Sequence, residues 1–184
     1  MMSIDKSRIC KLHSWSILFW HILSIASLKG EMGMLSASLE KYLLCIYDKV
    51  RGEKELKSTE LAKEMNQPLQ KAVQALQRLH YQKYITYSAY QPLRLTEQGS
   101  QVAEYLMARN QLIDEFLNIL HIEQNRETEK EAMQQYLSYE SLKTIEKFVI
   151  FNRQYPEIGM RYEMILKREP ITYLLPEFPK GDKR

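Results

Sequence analysis

Cysteine and histidine are both scarce in this chain of 184 residues. Two cysteines, Cys10 and Cys45, cannot build a disulfide framework. The four histidines, His13, His21, His80 and His121, never fall in an HxxH or HxxxH spacing, which argues against a histidine-rich zinc site. The six glycines form no phosphate-cradling loop, and there is no nucleophile elbow and no clustered His, Cys and carboxylate set. An enzyme therefore has nothing to stand on here. Charge of one sign is also lacking: 26 basic against 23 acidic residues leave +3, so a nucleic-acid role must rest on where the charges sit. What is present is 45% hydrophobic and 27% charged residues, enough for one globular domain or two small ones with a real core. That composition excludes disorder, collagen and an isolated coiled coil, and the scarcity of cysteine favours a cytoplasmic location.

Residues 1–34 differ from the rest. Leu12 to Leu28 contains no Asp, Glu, Lys or Arg and follows Lys6, Arg8 and Lys11, the layout of a signal peptide or anchor. The stretch is short for a span of roughly 20 residues and is broken by two histidines and four serines. The expectation is that Met32 or Met34 is the true start, with residues 1–34 a start-site artefact or a disordered leader, and that no membrane is a partner.

From Ser36 onward helical spacing dominates. Leu39, Tyr42, Leu43, Ile46 and Val50 share a stripe behind Ser36 or Ser38, predicting a helix over about 38–51 that Gly52 ends. Ser58 or Thr59 is expected to cap a short helix from Glu60 to Met65. After a break at Asn66, Gln67 and Pro68, a second helix follows from Leu69 to His80, with Leu69, Ala72, Val73, Leu76 and Leu79 inward. Two such helices across a tight turn make a helix-turn-helix. Tyr84 to Tyr87 and Leu93 to Leu95 then alternate around a turn, a small wing in which Tyr81, Tyr84 and Tyr87 are expected to pack. Thr96 opens a long helix striped by Val102, Tyr105, Leu106, Ile113, Phe116, Leu117 and Leu120, of the kind that links two domains or forms a dimer interface.

A second helical unit covers about 126–152. Ala132, Met133, Tyr136 and Leu137 mark one face of its first helix, and Ser138 caps another carrying Leu142, Ile145, Phe148, Val149 and Asn152. Two short amphipathic helices cannot bury both faces against one long helix, so self-association is expected. Residues 36–110 hold 11 basic and 8 acidic side chains and residues 111–154 hold 5 and 8, a basic front and an acidic back. Tyr155-Pro156 should end this unit before a short helix over Glu157 to Arg168 and an extended tail with Pro170, Pro176 and Pro179.

The fold class expected is mainly α: a winged helix-turn-helix DNA-binding domain over 35–108, a helical dimerisation domain over 109–154, and a C-terminal helix and tail over 155–184. This order, with a wing ending in Leu95-Thr96-x-x-Gly99 and a helix pair joined at Leu137-Ser138-Tyr139, resembles the diphtheria toxin repressor family, and within it the short manganese-responsive regulators, from Leu35 to Asn152. The resemblance implies a homodimeric, metal-responsive transcriptional regulator of the repressor type that binds an inverted-repeat operator in double-stranded DNA. It implies manganese or iron as cofactor, yet most ligand positions have changed. The family's acidic pair on the first helix matches Lys41 and Leu44 here, its long-helix histidine matches Asn110, and its E-x-x-E-H matches Glu131, Gln134 and Gln135. One carboxylate, three neutral amides and a lysine are a poor set for Mn²⁺ or Fe²⁺. Asp114, with Glu127 and His121, is the alternative source of ligands.

In a helix-turn-helix the start of the second helix enters the major groove, so Gln70, Lys71 and Gln74 are candidates for base edges, Gln with adenine and Lys with guanine. Gln67, Arg78, Lys57, Ser58, Thr59, Arg94 and Tyr90 are candidates for the backbone or the wing contact. The competing function is a winged helix used only for protein contacts, which predicts no sequence-selective DNA binding.

Overall fold

The computed structural model describes residues 35–52 and 55–168, so the leader and the proline-bearing tail lie outside the described residues. The element order is α1 (Ala37–Arg51), α2 (Ser58–Glu64), α3 (Leu69–Tyr81), β1 (Ile85–Thr86), β2 (Arg94–Leu95), α4 (Glu97–Ile119), α5 (Arg126–Tyr136), α6 (Tyr139–Gln154) and α7 (Pro156–Arg168). β1 and β2 pair antiparallel, Ile85 opposite Leu95 and Thr86 opposite Arg94.

Three helices start where the hydroxyl caps predict. Ser36, Thr96 and Ser138 each accept a hydrogen bond from the backbone N–H three residues on, which satisfies one of the four orphan donors of a helix start. α2 departs from this rule. Its N-cap is Lys57, and Ser58 and Thr59 are already helical, because the Glu60 carboxylate accepts from the Lys57 N–H at 3.0 Å and supplies the cap from inside the helix.

Two cores hang on α4. The first joins Leu43, Ile46, Leu61, Leu76, Leu79, Ile85, Leu93, Val102 and Leu106, and the second joins Leu112, Ile113, Leu117, Leu142 and Val149. Fully burying one such leucine stabilises the fold by about 1.5–3 kcal/mol relative to exposure. In α3 the inward residues are Ala72, Ala75, Leu76 and Leu79; Val73, expected inside, is half-buried, and Leu69, also expected inside, is the first residue of the helix and 46% exposed. Tyr84 and Tyr87 do pack into the head, whereas Tyr81, at the end of α3, is exposed. On α5, Met133 and Leu137 reach the second core, while Ala132 and Tyr136 face outward.

The wing and α4 are welded at one point. The Thr96 hydroxyl donates to the backbone oxygen of Lys83 at 2.6 Å or of Tyr84 at 3.0 Å while accepting from Gly99 N–H at 2.9 Å. Gly99 lies so close to the backbone just before β1 that a Cβ would fall 1.8 Å from the Tyr84 oxygen. The Thr-x-x-Gly spacing therefore has a steric cause: only glycine lets the helix start touch that backbone.

Candidate nucleic-acid interface and metal centre

The turn between α2 and α3 is tight because Asn66 takes the left-handed region, φ 48°, while Gln67 N–H closes onto the Ala62 oxygen at 2.9 Å. This geometry presents the start of α3 to solvent. At about 100° per residue, positions 70, 71, 74 and 78 fall within an arc of about 100° and lie roughly opposite the buried positions 72, 75, 76 and 79. Gln70, Lys71, Gln74 and Arg78 are all exposed, as are Gln67 in the turn, Lys57 and Thr59 at the start of α2, and Arg94 on β2; Ser58 is half-buried. Tyr90 is 97% exposed at the tip of the wing, where its φ is 64°. Thr59 of α2 and Gln67 of the turn line one shallow cavity, and Arg94 and Tyr90 lie on the wing. Among the described residues, none of the side chains of Gln67, Gln70, Lys71, Gln74 and Arg78 is engaged in a hydrogen bond or ion pair.

The metal-site positions tell a different story. Lys41 Nζ lies 2.7 Å from Glu131 Oε1, so α1 and α5 are bridged by an ion pair, with both side chains more than half exposed. The lysine's hydrogen bond and charge hold the Glu131 carboxyl below the usual carboxylate range. Asn110 accepts through Oδ1 from Arg109 at 3.1 Å, and Arg109 in turn clasps Glu40 at 2.8 Å, a pair only 8% and 18% exposed. Leu44 packs against the first core. Gln134 is half-buried and Gln135 exposed.

The alternative ligands are not assembled into a site either. Asp114 is taken by two cations, Lys130 at 2.7 Å and Arg126 at 3.5 Å, which clamp α5 to α4. His121 and Glu127 are exposed, and His121 faces the Tyr162 ring with centroids 6.4 Å apart. No three His, Cys, Asp or Glu side chains cluster among the described residues.

Sequence reading missed two further ties between α1 and α4. One is Glu40 to Arg109; the other is Tyr47, whose hydroxyl donates to Glu104 at 2.9 Å. Burial first and this hydrogen bond second push the Tyr47 phenol up. The available signal was the acid at 40 beside a helix stripe, but its partner lies 69 residues away.

Residues 34–93 match the iron dependent repressor N-terminal DNA binding domain, and residues 96–162 match the iron dependent repressor metal binding and dimerisation domain. The chain belongs to the iron-dependent repressor family. Its relatives include the HTH-type transcriptional regulator MntR of Bacillus pumilus, 24% identical over 140 residues that make up 76% of this chain and 97% of that one. The MntR of Listeria monocytogenes serotype 4b is 26% identical over 140 residues, covering 76% and 99%. Among solved structures the manganese regulator SloR superposes with a TM-score of 0.54 at 21% identity, over 61% of this chain and 54% of that one. The chain therefore spans about half the length of SloR, and that likeness concerns the fold. The family is one of transcriptional regulators, and nothing in these comparisons favours a winged helix without DNA binding.

The residues at the positions that the resemblance matches to the family's metal ligands do not fit a divalent cation. The one carboxylate already meets an ammonium, the asparagine oxygen already meets a guanidinium, and the remaining first-helix position is a leucine. A hard cation takes oxygen ligands and negative charge; here it would find a positive charge on α1 instead. Among the described residues, no helix is long and apolar enough to cross a membrane.

Proposed function

We propose that this family member is a homodimeric transcriptional regulator of the cytoplasm that binds an inverted-repeat DNA operator without requiring the family's metal. The observation that carries the reading is the Lys41–Glu131 pair, which joins the head to the first helix of the C-terminal unit at the family's metal position. The DNA-binding head is taken as residues 35–108 and the dimerisation unit as 109–154, followed by the C-terminal segment 155–184. Gln70, Lys71 and Gln74 are assigned to base edges, and Gln67, Arg78, Lys57, Ser58, Thr59, Arg94 and Tyr90 to backbone and wing contacts.

A second copy is supported by the outer surface of α6 and α7. Phe151 on α6 and Ile158 on α7 are 42% and 38% exposed there, and the Phe151 ring meets that of the 47% exposed Tyr155 between the two helices, apolar surface that a second copy would cover. A gel shift on the chain's own promoter region, with added Mn²⁺ and with EDTA, tests the reading. Equal, sequence-selective shifts are expected. A shift that needs metal overturns the metal-free part, and no selective shift under either condition returns the head to protein contacts.

A further inference from the structure

A cavity of about 230 Å³ opens where α1, α4 and α6 meet, and neither Lys41 nor Glu131 lines it. Its wall is mostly apolar: Tyr47 comes from α1, Tyr105 and Leu112 from α4, and Tyr139 and Leu142 from α6. Three aromatic rings from three different helices thus surround one small volume. Glu146, one turn beyond Leu142 on α6, adds a carboxylate to this wall.

The other charged side chains at the cavity are already occupied. Arg109 is paired with Glu40, and Glu104 accepts from Tyr47. Lys143 pairs with Glu140 at 3.6 Å and lies over the Tyr139 ring, while Arg51 donates to the Tyr47 hydroxyl at 3.4 Å. Glu146 differs. It is half-buried and meets no hydrogen-bond donor or cation among the described residues. Burial alone pushes its carboxyl up, with no neighbouring charge opposing the rise. A partly desolvated carboxylate without a partner, facing aromatic surface, is a poor arrangement for the empty protein and a good one for a bound cation. A ligand ammonium would satisfy the carboxylate, while Arg51 over the Tyr47 ring and Lys143 over the Tyr139 ring leave the aromatic wall to pack a ligand's ring.

We propose that this cavity is a binding site for a small aromatic amine, its ring packed among Tyr47, Tyr105 and Tyr139 and its ammonium held by Glu146. The volume suits a one- or two-ring compound and lies just below the usual range of small-molecule pockets. Because the wall is shared by α1 of the head and α6 of the dimerisation unit, an occupant is sensitive to how these two bodies sit. Any difference in its affinity between two arrangements appears as a change in operator affinity. This regulatory part rests on the DNA-binding reading above; the binding site itself does not.

The test is calorimetric titration of the full chain with three probes of similar size and different charge: tryptamine, tryptophol and indole-3-acetate. Tryptamine should bind about tenfold or more tighter than tryptophol, with indole-3-acetate weakest. Glu146→Gln should erase the preference for the amine while leaving the fold intact by circular dichroism. Leu142→Trp, which fills the space, should weaken all three. The proposal is overturned if tryptamine fails to bind at millimolar concentration, if indole-3-acetate binds best, or if Glu146→Gln keeps the amine preference. No DNA is present in this titration, so its failure leaves the gel-shift reading standing, and a failed gel shift leaves the site standing. A gel shift that tryptamine alters in the parent chain and not in Glu146→Gln supports the regulatory part; an unaltered shift in both removes it.

Discussion

The ammonium of Lys41 on α1 sits 2.7 Å from the carboxylate of Glu131 on α5, joining two helices whose cores are otherwise separate. Both side chains are more than half exposed, so water and salt weaken the pair, and it biases the head without locking it. Lys41→Ala should therefore reduce operator affinity modestly, by about two- to fivefold, with the loss shrinking at high salt. Titrated gel shifts at two ionic strengths measure this. A complete loss of binding in the alanine variant would give the lysine a different role.

Base reading should be concentrated on the exposed face of α3. Lys71→Ala or Gln74→Ala is expected to weaken specific binding by roughly 1 to 3 kcal/mol and to relax discrimination at one operator position. Arg78→Ala should weaken binding evenly across sequences and flatten its salt dependence, as loss of a phosphate contact does. Unchanged operator affinity in both Lys71 and Gln74 variants would move the reading surface elsewhere.

Gly99→Ala should be severe for so small a change. The new methyl would fall 1.8 Å from the Tyr84 backbone oxygen, so the backbone just before β1 or the helix start must move, and neither is a flexible side-chain end. A destabilisation of roughly 2 to 4 kcal/mol, read by urea unfolding, is expected. A variant as stable as the parent would mean that the wing is not welded to α4.

How far sequence reading reached can be judged at particular residues. Ser36, Thr96 and Ser138 announce their helices because a hydroxyl cap is a local device, and the wing is legible from Tyr84 to Leu95 because alternation is local too. Lys57 was not legible as a cap, since the oxygen that closes that helix start belongs to Glu60. Leu69 misled because apolar spacing does not record where the core ends. The pairing of Glu40 with Arg109, and the meeting of Tyr47, Tyr105 and Tyr139 around one cavity, depend on how three helices cross, which no single stretch of chain contains.

Glu146 carries a pH signature distinct from its ligand chemistry. Its folded carboxyl is raised above the unfolded value, so the folded chain binds that proton more tightly. The sign follows: its contribution favours the fold below the ordinary carboxylate range and is lost as pH rises through the raised folded value. Glu146→Gln should be slightly more stable than the parent at pH 7 and no more stable at pH 4, with Arg51, Glu104, Arg109 and Lys143 at the same cavity unchanged. Thermal unfolding of both chains across that interval is the measurement, and a variant less stable than the parent at pH 7 would contradict it.

Self-association should depend on the outer face of α6. Sedimentation at micromolar concentration is expected to give twice the 21.9 kDa of one chain, and Phe151→Asp to give one. The monomeric variant should lose most operator affinity, because a lone head binds only one half-site. A parent chain that sediments as a monomer would remove the paired-head arrangement.

The two cores share α4 without interruption, and this makes the aim of the DNA-binding head a matter of helical phase. From Leu106 in the first core to Leu112 in the second is a rise of about 9 Å and a net turn of about 240°. One inserted residue between them would swing the head by about 100° around the helix axis, whereas about seven would bring it nearly back into phase and only move it outward. The half-site spacing that this regulator accepts is thus written into α4 as a residue count, and length changes there would redirect the protein to a different operator geometry without altering any residue that touches DNA.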